Sequence, residues 1–535
     1  MKTSVRRPLG ALAAAAVAMS LLAGCADDAE TGDAEASQRG LPAEFGMLGE
    51  TNEGEPVRGG TLTYADVTEA RSLDPTKTYA TGSAGGTPMA AVYDVLVRYD
   101  AETQAFEPWL AESLEPDTDF TTWTLTLREG VTFSDGTTLD AAAVVGSLDY
   151  FIDNNGSDAP LLSQNLEGYR AEGKDTVVFE MKRPWSTFPN MLAQGAGMIL
   201  APAAIKGPDF TPIGAGPFEL ERYAPGEELL LKSRQDYWKG APPLDRLRFV
   251  VLPSENATMD SLSADEVQAA LLLYSPDEQA ARAAGLPGYR ELANVHPVLW
   301  MNQREGRDPA DPRVRRAVAL ATDASLYNAR VDDGEGTAST EVFTSDSRWA
   351  NDATAPALDL EEAEALVAEA KKDGFDGELV YLDDADPRSE AEALVIKAML
   401  ERVGFSVKTE IATSVADKMQ RLYVEHDFDL ATGGLAISEA DPFHRLFSGL
   451  GSTSFANLTG YADPEMDRLL EELQGAGDDE ERHAAVEAVE QHWYDTAPGV
   501  PLGAGSWYVA WQPEVHGVVP GSEFMMLFGE AWLEQ

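Results

Sequence analysis

The single cysteine of this chain, Cys25, limits its possible folds more than any other residue. No second thiol occurs in 535 residues, so the chain can form neither an intramolecular disulfide nor a zinc site built on paired cysteines. Beyond residue 25 there is also no thiol that could serve as a catalytic nucleophile. The folded body must therefore be stabilised by burying apolar side chains, and a hydrophobic content of 44% is enough for a large core.

The sequence around Cys25 has the features of an export signal. Lys2, Arg6 and Arg7 precede an apolar run from Leu9 to Leu22, and Leu22-Ala23-Gly24-Cys25 forms a lipobox. The run is too short to span a bilayer, and no later stretch reaches about 18 apolar residues. We therefore predict a signal peptide over residues 1–25, cleavage just before Cys25, lipidation of that thiol, and a location on the extracytoplasmic face of the cell membrane.

The chain is strongly acidic, with a formal net charge of -51. Residues 1–25 carry three basic and no acidic side chains, so the chain without them has a net charge of -54. Such a surface is repelled by phosphate backbones, so nucleic acid is not an expected partner. Solubility is the simplest explanation of the charge. A preference for cationic or zwitterionic ligands is the alternative, which depends on the local charge near a cleft.

Composition and periodicity divide the chain into a tether and a folded body. Residues 26–57 are mostly small or acidic, which predicts a flexible tether. Folded sequence is expected from Arg58 onward, where short segments alternate between apolar and polar residues. The predicted strands of the first half are Thr61–Tyr64, Thr122–Leu127, 177–181, 218–223, 228–232 and 247–252.

Helices with clear start and stop signals dominate the second half. Asp311 and Asp463 each precede a proline, and Asp359 and Ser389 are each followed three residues later by glutamate. These four residues are predicted helix N-caps, and glycines at 374 and 404 are predicted to end the helices that begin at 359 and 389. Strands that alternate with capped helices are typical of βαβ units, so we predict an α/β fold with parallel sheets.

Motifs for catalysis and for metals are incomplete. The segment 82–85 lacks the first glycine of a nucleophile elbow, since Thr81 occupies that position. A dinucleotide fingerprint that begins at Gly214 has Glu219 in place of its third glycine. No P-loop occurs, and the six histidines form no close pair at helical spacing. We therefore expect neither an enzyme nor a cofactor or metal, and interpret the chain as a binding protein.

Several segments, in order, resemble the family 5 extracellular solute-binding proteins of ABC importers, which include oligopeptide-, dipeptide- and nickel-binding proteins. The segments from Trp123 to Leu127 and from Arg128 to Gly136 carry the strongest similarity. The other similar segments are 58–62, 73–75, 92–97, 108–113, 214–218, 237–238 and 311–323. Together they cover nearly the whole chain from residue 58, and it is their order that makes the resemblance specific.

The resemblance implies a two-lobed periplasmic-binding-protein-like fold of the type II, large peptide-binding subclass. Residues 58–84, 200–293 and 512–535 would form the core of the first lobe, residues 85–199 an extension of it, and residues 294–511 the second lobe. Hinge strands are expected near Asn294–Asn302 and Pro501–Trp511. Closure of the lobes on a ligand would shift the protein toward a closed state.

The resemblance also implies where a ligand would bind. In peptide-binding members an aspartate of the second lobe pairs with the peptide α-amine, and Ser438 occupies that position here, while Leu435 replaces a common tryptophan. Glu439 is adjacent but should face the other way on an extended strand, and Asp441 should cap the next helical turn. The predicted ligand-binding residues are Tyr79, Thr81, Ser83, Trp300, Asn302, Thr432, Gly434, Leu435, Ala436 and Ser438.

These expectations lead to one principal function and one alternative. The principal prediction is a monomeric, lipid-anchored protein that captures an organic solute, most often a peptide in this family, and delivers it to an ABC permease and its ATPase. Nickel is less favoured, because no histidine pair is present. The alternative is a lipoprotein of the same fold that acts in signalling or envelope assembly without import.

Overall fold

The computed structural model describes residues 45–49, 54–207 and 209–534. The predicted signal peptide, Cys25 and most of the predicted tether lie outside the described residues. The tether prediction needs one correction at its C-terminal end. Residues Gly46–Leu48 form a strand that pairs with residues 288–290, and Arg290 lies over the ring of Phe45 at 4.4 Å. The folded body therefore includes residues at the C-terminal end of the predicted tether.

The strands and helices are numbered here in chain order. The strands are β1 (Gly46–Leu48), β2 (Thr61–Asp66), β3 (Val97–Asp100), β4 (Ala105–Pro108), β5 (Ala111–Pro116), β6 (Thr122–Leu127), β7 (Leu166–Glu172), β8 (Thr176–Met181), β9 (Phe218–Ala224), β10 (Glu228–Ser233), β11 (Arg246–Val251), β12 (Ala269–Leu272), β13 (Gly288–Ala293), β14 (Val298–Met301), β15 (Glu378–Asp383), β16 (Ser406–Ile411), β17 (Leu430–Gly433), β18 (Gly499–Pro501), β19 (Gly505–Trp511), β20 (Val515–His516), β21 (Val519–Pro520), β22 (Met526–Leu527) and β23 (Trp532–Leu533). The helices are α1 (Gly86–Tyr93), α2 (Ala141–Asp153), α3 (Ala159–Asn165), α4 (Pro189–Leu192), α5 (Glu255–Ser263), α6 (Ser275–Ala283), α7 (Pro312–Ala321), α8 (Ala324–Val331), α9 (Leu360–Lys372), α10 (Pro387–Glu401), α11 (Val415–Gln420), α12 (Pro442–Leu450), α13 (Pro464–Gly475) and α14 (Asp479–Thr496).

Two large mixed sheets form the centres of two lobes. The first lobe contains an eight-stranded sheet in the order β1-β13-β19-β12-β2-β11-β10-β9, and the second contains a five-stranded sheet in the order β16-β15-β17-β14-β18. A separate antiparallel sheet, β5-β6-β8-β7, forms with α2 and α3 the extension of the first lobe. The α/β prediction is confirmed, because helix α10 connects the parallel strands β15 and β16 and helices pack with both sheets, although antiparallel pairs make the sheets mixed rather than purely parallel.

Most predicted elements have the expected bounds and caps. β6 alternates as expected, with Trp123, Leu125 and Leu127 buried. Helices α7, α9 and α13 begin directly after Asp311, Asp359 and Asp463, and each of these side chains accepts a hydrogen bond from a first-turn amide. The cap predicted at Ser389 is wrong. Helix α10 begins three residues earlier than this cap predicts, because Asp386 caps it and Pro387 occupies its first position.

The chain passes between the two large sheets twice. Residues 294–297 connect β13 to β14, and residues 502–504 connect β18 to β19. The second crossing requires a correction of the predicted second-lobe range, 294–511, because β19 pairs with β12 and β13 in the first-lobe sheet. The predicted extension, 85–199, also begins too early, since Met89–Tyr93 of α1 belong to the core of the first lobe.

One apolar core joins the extension to the second lobe. Trp185 and Phe188 of the extension pack with Phe443 of α12, and the rings of Trp185 and Phe443 lie 6.2 Å apart. The amide of Ser186 donates a hydrogen bond of 3.0 Å to the carbonyl of Gln474 at the same interface. The extension therefore follows the first lobe in sequence but shares a core with the second.

Candidate functional site: the cleft between the lobes

Both lobes direct the carboxyl ends of parallel strands toward one cleft. In the first lobe, β2 lies between the parallel neighbours β11 and β12, and the residues at or after their carboxyl ends line the cleft. In the second lobe, β17 is parallel to β15, and residues at both strand ends line it as well. Ligands of open α/β sheets bind at such edges, because the chain leaves the sheet there and exposes polar groups.

The cleft contains three adjoining chambers. The apolar chamber, lined by residues that include Leu161, Phe447 and Phe455, has a volume of 770 Å³. The central chamber, lined by Asp66 and Trp507 among others, measures 630 Å³, and the acidic chamber, which contains the 383–392 segment, measures 750 Å³. Residue 434 lines all three chambers, so they meet there. Each volume lies within the range of roughly 300–1,000 Å³ that is typical of ligand pockets.

Eight of the predicted ligand-binding residues line these chambers. Tyr79 and Leu435 lie between the apolar and central chambers, and the central chamber also contains Thr81, Ser83 and Ala436. The remaining three are Gly434 at the junction, Trp300 in the apolar chamber and Thr432 in the acidic chamber. The structure thus brings together residues that are more than 350 positions apart in the sequence.

Two predicted residues line none of the three chambers. Asn302 is fully buried, and its side-chain amide donates to the carbonyls of His426 and Phe428 at 3.0 and 2.9 Å, so it stabilises a turn. Ser438 is also buried, and its hydroxyl donates a 3.0 Å hydrogen bond to Glu291 of β13. The structure therefore gives both residues packing and hydrogen-bonding roles in place of the predicted position in the cleft.

The segment that follows β17 is partly paired within the protein. The amides of Leu435 and Ile437 donate to the carbonyls of Val295 and Asn294 at 3.0 and 2.9 Å. Ala436, which lies between them, lines the central chamber. An extended ligand therefore cannot use every backbone group between 432 and 437, which limits strand addition to part of this segment.

The neighbouring acids have structural roles. Asp441 accepts a 3.0 Å hydrogen bond from the amide of Phe443 and caps α12, as predicted. Glu439 accepts hydrogen bonds from the side chains of Asn294 and Ser347 at 2.7 and 2.8 Å. Neither carboxylate therefore compensates for the absence of an acid at position 438.

The central chamber is lined by residues with buried polar atoms that have no partner. Asp66 Oδ2, His296 Nδ1 and Trp507 Nε1 are each buried without a hydrogen bond. Burial lowers the pKa of His296 to about 4, so its ring is neutral. Buried polar groups in folded proteins are almost always paired, and a cavity that collects several unpaired ones is suited to a polar ligand.

An ionic network connects α12 of the second lobe to the first lobe beside the apolar and central chambers. Arg445 donates to the hydroxyl of Tyr79 at 2.8 Å and forms an ion pair with Glu523. Burial alone would raise the pKa of Glu523, but Arg445 holds it at about 2. His444 contacts Asp158 at 2.8 Å, and although burial opposes protonation, this carboxylate raises the histidine pKa to about 9. At neutral pH the network is therefore ionised and bridges the lobes.

The acidic chamber holds more carboxylates than cations, and both of its cations are paired. Arg388 contacts Asp332 at 2.8 Å, and Lys418 contacts Asp384 at 2.7 Å. Glu255 also lines this chamber and the central one, and burial, followed by the charge of Asp277, raises its pKa to about 7. The local charge near the cleft is therefore negative.

Sequence reasoning missed several residues of the cleft. Asp66, His296, Arg445 and Trp507 line the central chamber but were not among the predicted site residues. Asp66 could have been found, because it follows a predicted strand by two residues and the carboxyl ends of strands form ligand sites in α/β folds. His296 lies in the first crossing between the sheets, Arg445 in α12 and Trp507 in β19. The residues that lie opposite these three across the cleft are known only from the tertiary structure.

Comparison with known proteins identifies the class to which this cleft belongs. The model of bacterial extracellular solute-binding proteins, family 5 Middle, matches residues 105–457. A probable di/tripeptide-binding protein of Pseudomonas aeruginosa is 25% identical over 469 residues, covering 79% of this chain and 86% of its own. The chain therefore belongs to the family 5 extracellular solute-binding proteins, and it is a binding protein rather than an enzyme.

Solved structures show the same two-lobed type II fold. The oligopeptide-binding protein AppA of Bacillus subtilis, in complex with a nonapeptide, has a TM-score of 0.76 at 22% identity and covers 90% of this chain and 100% of its own. The dipeptide-binding protein of Pseudoalteromonas sp. SM9913, in complex with Met-Leu, has a TM-score of 0.77 at 21% identity, with 89% and 100% coverage. The predicted fold class is thereby confirmed.

Two features are absent from the described residues. Within them, no helix combines the length and apolar character needed to cross a membrane. In the same part of the chain, no three histidine, cysteine, aspartate or glutamate side chains form a group that could hold a metal ion.

Proposed function

We propose that this chain is the lipid-anchored receptor of an ABC importer, which captures a peptide between its lobes and delivers it to a membrane permease. The observation that carries the proposal is the cleft itself, where strand ends of both lobes enclose three adjoining chambers around Gly434. A ligand that contacts both walls stabilises the closed arrangement and so shifts the population toward it.

The shape of the cleft supports an extended ligand. The chambers lie side by side, and the central chamber shares lining residues with each of the other two. Apolar side chains such as Met419, Tyr423, Val424 and Phe455 line the apolar chamber and are unusually exposed for their type. Such a surface suits an apolar ligand side chain, while the polar atoms of the central chamber suit a peptide backbone. The Pseudomonas relative named for di- and tripeptides is consistent with this ligand class.

The anchor and the partners belong to the same proposal. Cys25 would carry the lipid, and the residues between it and Phe45 would set the distance between membrane and cleft. The two lobes would close on the ligand as predicted for the family, and the closed form of the monomer would be the one recognised by the permease and its ATPase.

Native mass spectrometry of protein purified without ligand stripping tests the capture of a peptide. A co-purified mixture of peptide masses, which disappears on mild denaturation and refolding, is the expected result. A single non-peptide species would contradict the peptide assignment but leave solute binding intact. Uptake of labelled peptide by cells that lack this gene, with and without restored expression, then separates import from the alternative role in signalling or envelope assembly.

A further inference from the structure

Asp66 has the surroundings of an anionic subsite. It is the last residue of β2, between the parallel strands β11 and β12, and its side chain is more than nine-tenths buried in the wall of the central chamber. One carboxyl oxygen accepts a 2.8 Å hydrogen bond from the amide of Val67, while the other, Oδ2, has no hydrogen-bond partner in the part of the chain that the structure describes. A buried carboxylate oxygen without a partner is costly unless a cation or donor arrives to pair with it.

No basic side chain among the described residues satisfies this carboxylate. Asp66 belongs to none of the ion pairs formed among the described residues. The basic side chain that shares the chamber, Arg445, is already paired with Glu523 and bonded to Tyr79. Burial raises the pKa of Asp66 to about 7, although the neighbouring backbone amides favour its charged form.

Two other buried acids near the cleft differ from Asp66 in how their carboxylates are paired. Asp383 ends β15 in the second lobe and accepts a hydrogen bond from the next amide in the same manner, at 2.9 Å, but Lys418 lies 3.6 Å from it. Glu291 is bonded through both oxygens, to Ser438 and Tyr289, and lines none of the three chambers. Asp383 also has one buried oxygen without a hydrogen bond, but Lys418 is its counter-ion. Of these three buried acids, Asp66 is thus the one that lines the central chamber and has no counter-ion among the described residues.

We propose that Asp66 is the subsite for a cationic nitrogen of the ligand, so that the cleft selects peptides with a free ammonium group. The inference rests on the proposed capture of peptides and specifies their chemistry. The α-ammonium of a peptide and the ammonium of a lysine side chain share this chemistry. Either would donate a charge-assisted hydrogen bond to Oδ2 and neutralise the buried charge.

The neighbouring groups favour this choice over an anionic ligand. The central and acidic chambers contain the basic residues Arg388, Lys418 and Arg445, and each is already paired with an acid of the protein. A ligand carboxylate placed there would meet Glu255 and Asp66 and would find no unpaired basic side chain among the residues lining these two chambers. Placing like charges together in a buried site costs binding energy, so anionic groups are excluded from it.

The test is a competition between matched probes, observed by native mass spectrometry. The probes are di- to pentapeptides of alanine and phenylalanine with a free α-amine, the same peptides with an N-acetyl group, and N-acetyl peptides that contain one lysine. The proteins are wild type and Asp66→Asn, with Glu291→Gln and Asp383→Asn as controls that make the same chemical change at the other two acids.

Wild type is expected to favour free-amine over acetylated peptides by roughly tenfold or more, as one buried charge-assisted hydrogen bond implies. Asp66→Asn should abolish this preference, while both controls retain it. If the lysine peptides recover binding to wild type, a side-chain ammonium also fits; if they do not, the subsite takes the α-ammonium. A preference that survives in Asp66→Asn overturns the assignment.

The remaining outcomes separate this inference from the proposed function. Equal binding of free and acetylated peptides by wild type overturns the cationic subsite but leaves peptide capture standing. Binding of none of the probes by wild type overturns both. Because a purely structural role of Asp66 would appear as a loss of stability, the thermal midpoint of Asp66→Asn is measured without peptide, and it is expected to equal or exceed that of wild type.

Discussion

Gly434 shows, at the scale of single residues, how closely the cleft wall is packed. The residue lines all three chambers, and a Cβ atom added there would lie 1.9 Å from Nδ1 of the His296 ring. The ring is itself packed edge-on against Trp507, with centroids 5.8 Å apart. The absence of a side chain at residue 434 is therefore required by the fold of the cleft as well as by the space for a ligand.

Replacing Gly434 with alanine should lower the free energy of unfolding by about 1–3 kcal/mol, because the His296 ring must move to admit the methyl group. Urea denaturation measures this change. Gly433→Ala is the matched control, since its nearest contact would be an ordinary 3.4 Å to Trp300. Equal destabilisation by the two variants would show that the contact with His296 is unimportant.

Glu291 provides a pH-dependent prediction. Burial raises its pKa from 4.5 to about 8, so between these values the folded protein holds a proton that the unfolded chain releases. The contribution of Glu291 to the free energy of unfolding must then fall as the pH rises from 5 to 8. Glu291→Gln should remove that slope, so the variant gains thermal midpoint relative to wild type at pH 8.5 but not at pH 5. An identical pH profile for both proteins would contradict the raised pKa.

Helix α12 is the element that connects the second lobe to the rest of the molecule. Its first turn places Phe443 in the core shared with the extension, and the next two residues, His444 and Arg445, pair with acids of the first lobe and its extension. Glu523, the partner of Arg445, has only 2% of its side chain exposed. Loss of the arginine would leave that charge buried without a counter-ion.

Arg445→Gln is therefore expected to destabilise the protein by about 3–5 kcal/mol, the usual effect of removing one partner of a buried ion pair. The double variant Arg445→Gln with Glu523→Gln should recover part of this loss, because no unpaired charge remains. Arg468→Gln is the control. That residue pairs with Glu465 on the exposed face of α13, where solvent screens the ion pair and the change in stability should be much smaller than that of Arg445→Gln. Calorimetry at pH 7 compares the four proteins.

At the scale of the whole molecule, the shared core suggests which parts move together. The extension and the second lobe bury Trp185 and Phe443 against each other, and separating them would expose this apolar surface to water. We expect the extension and the second lobe to move as one body during closure. The chain would bend at residues 294–297 and 502–504, and the extension would shift together with the second lobe.

A designed disulfide tests this expectation. The backbones of residues 186 and 474 are hydrogen-bonded at 3.0 Å, so Ser186→Cys with Gln474→Cys, in a Cys25→Ser background, should link extension and second lobe when oxidised. Peptide affinity and the ligand-induced change in small-angle scattering should be the same in oxidised and reduced protein. If oxidation abolishes the scattering change, then opening separates these two bodies.

The membrane anchor gives the remaining prediction at this scale. Cys25→Ser should release the protein from the membrane fraction, or leave it as unprocessed precursor, and should prevent incorporation of labelled fatty acid, because serine cannot form the thioether. Peptide binding by the purified variant should be unchanged, since the described cleft lies far along the chain from residue 25. Retention of both membrane location and label would exclude lipidation of this thiol.

Local patterns in the sequence were sufficient for much of the fold and for part of the site. Aspartates 311, 359 and 463 were predicted as helix caps because capping involves only the next few residues. The cap at Ser389 was predicted wrongly from the same kind of local pattern. Asp386 lies three residues earlier, and an aspartate followed by proline is the stronger start signal. Segments near Tyr79 and Gly434 were placed in the cleft by family resemblance.

The sequence by itself determined the order of strands and capped helices, the overall negative charge and the absence of disulfides, because each depends on composition or on neighbours along the chain. Only the tertiary structure decided which acid of the cleft is left unpaired. Lys418 approaches Asp383, Ser438 bonds to Glu291, and Arg445 is occupied by Glu523, so Oδ2 of Asp66 has no counter-ion among the described residues. Electrostatic pairing depends on distance in space, and these distances are set by the packing of both lobes.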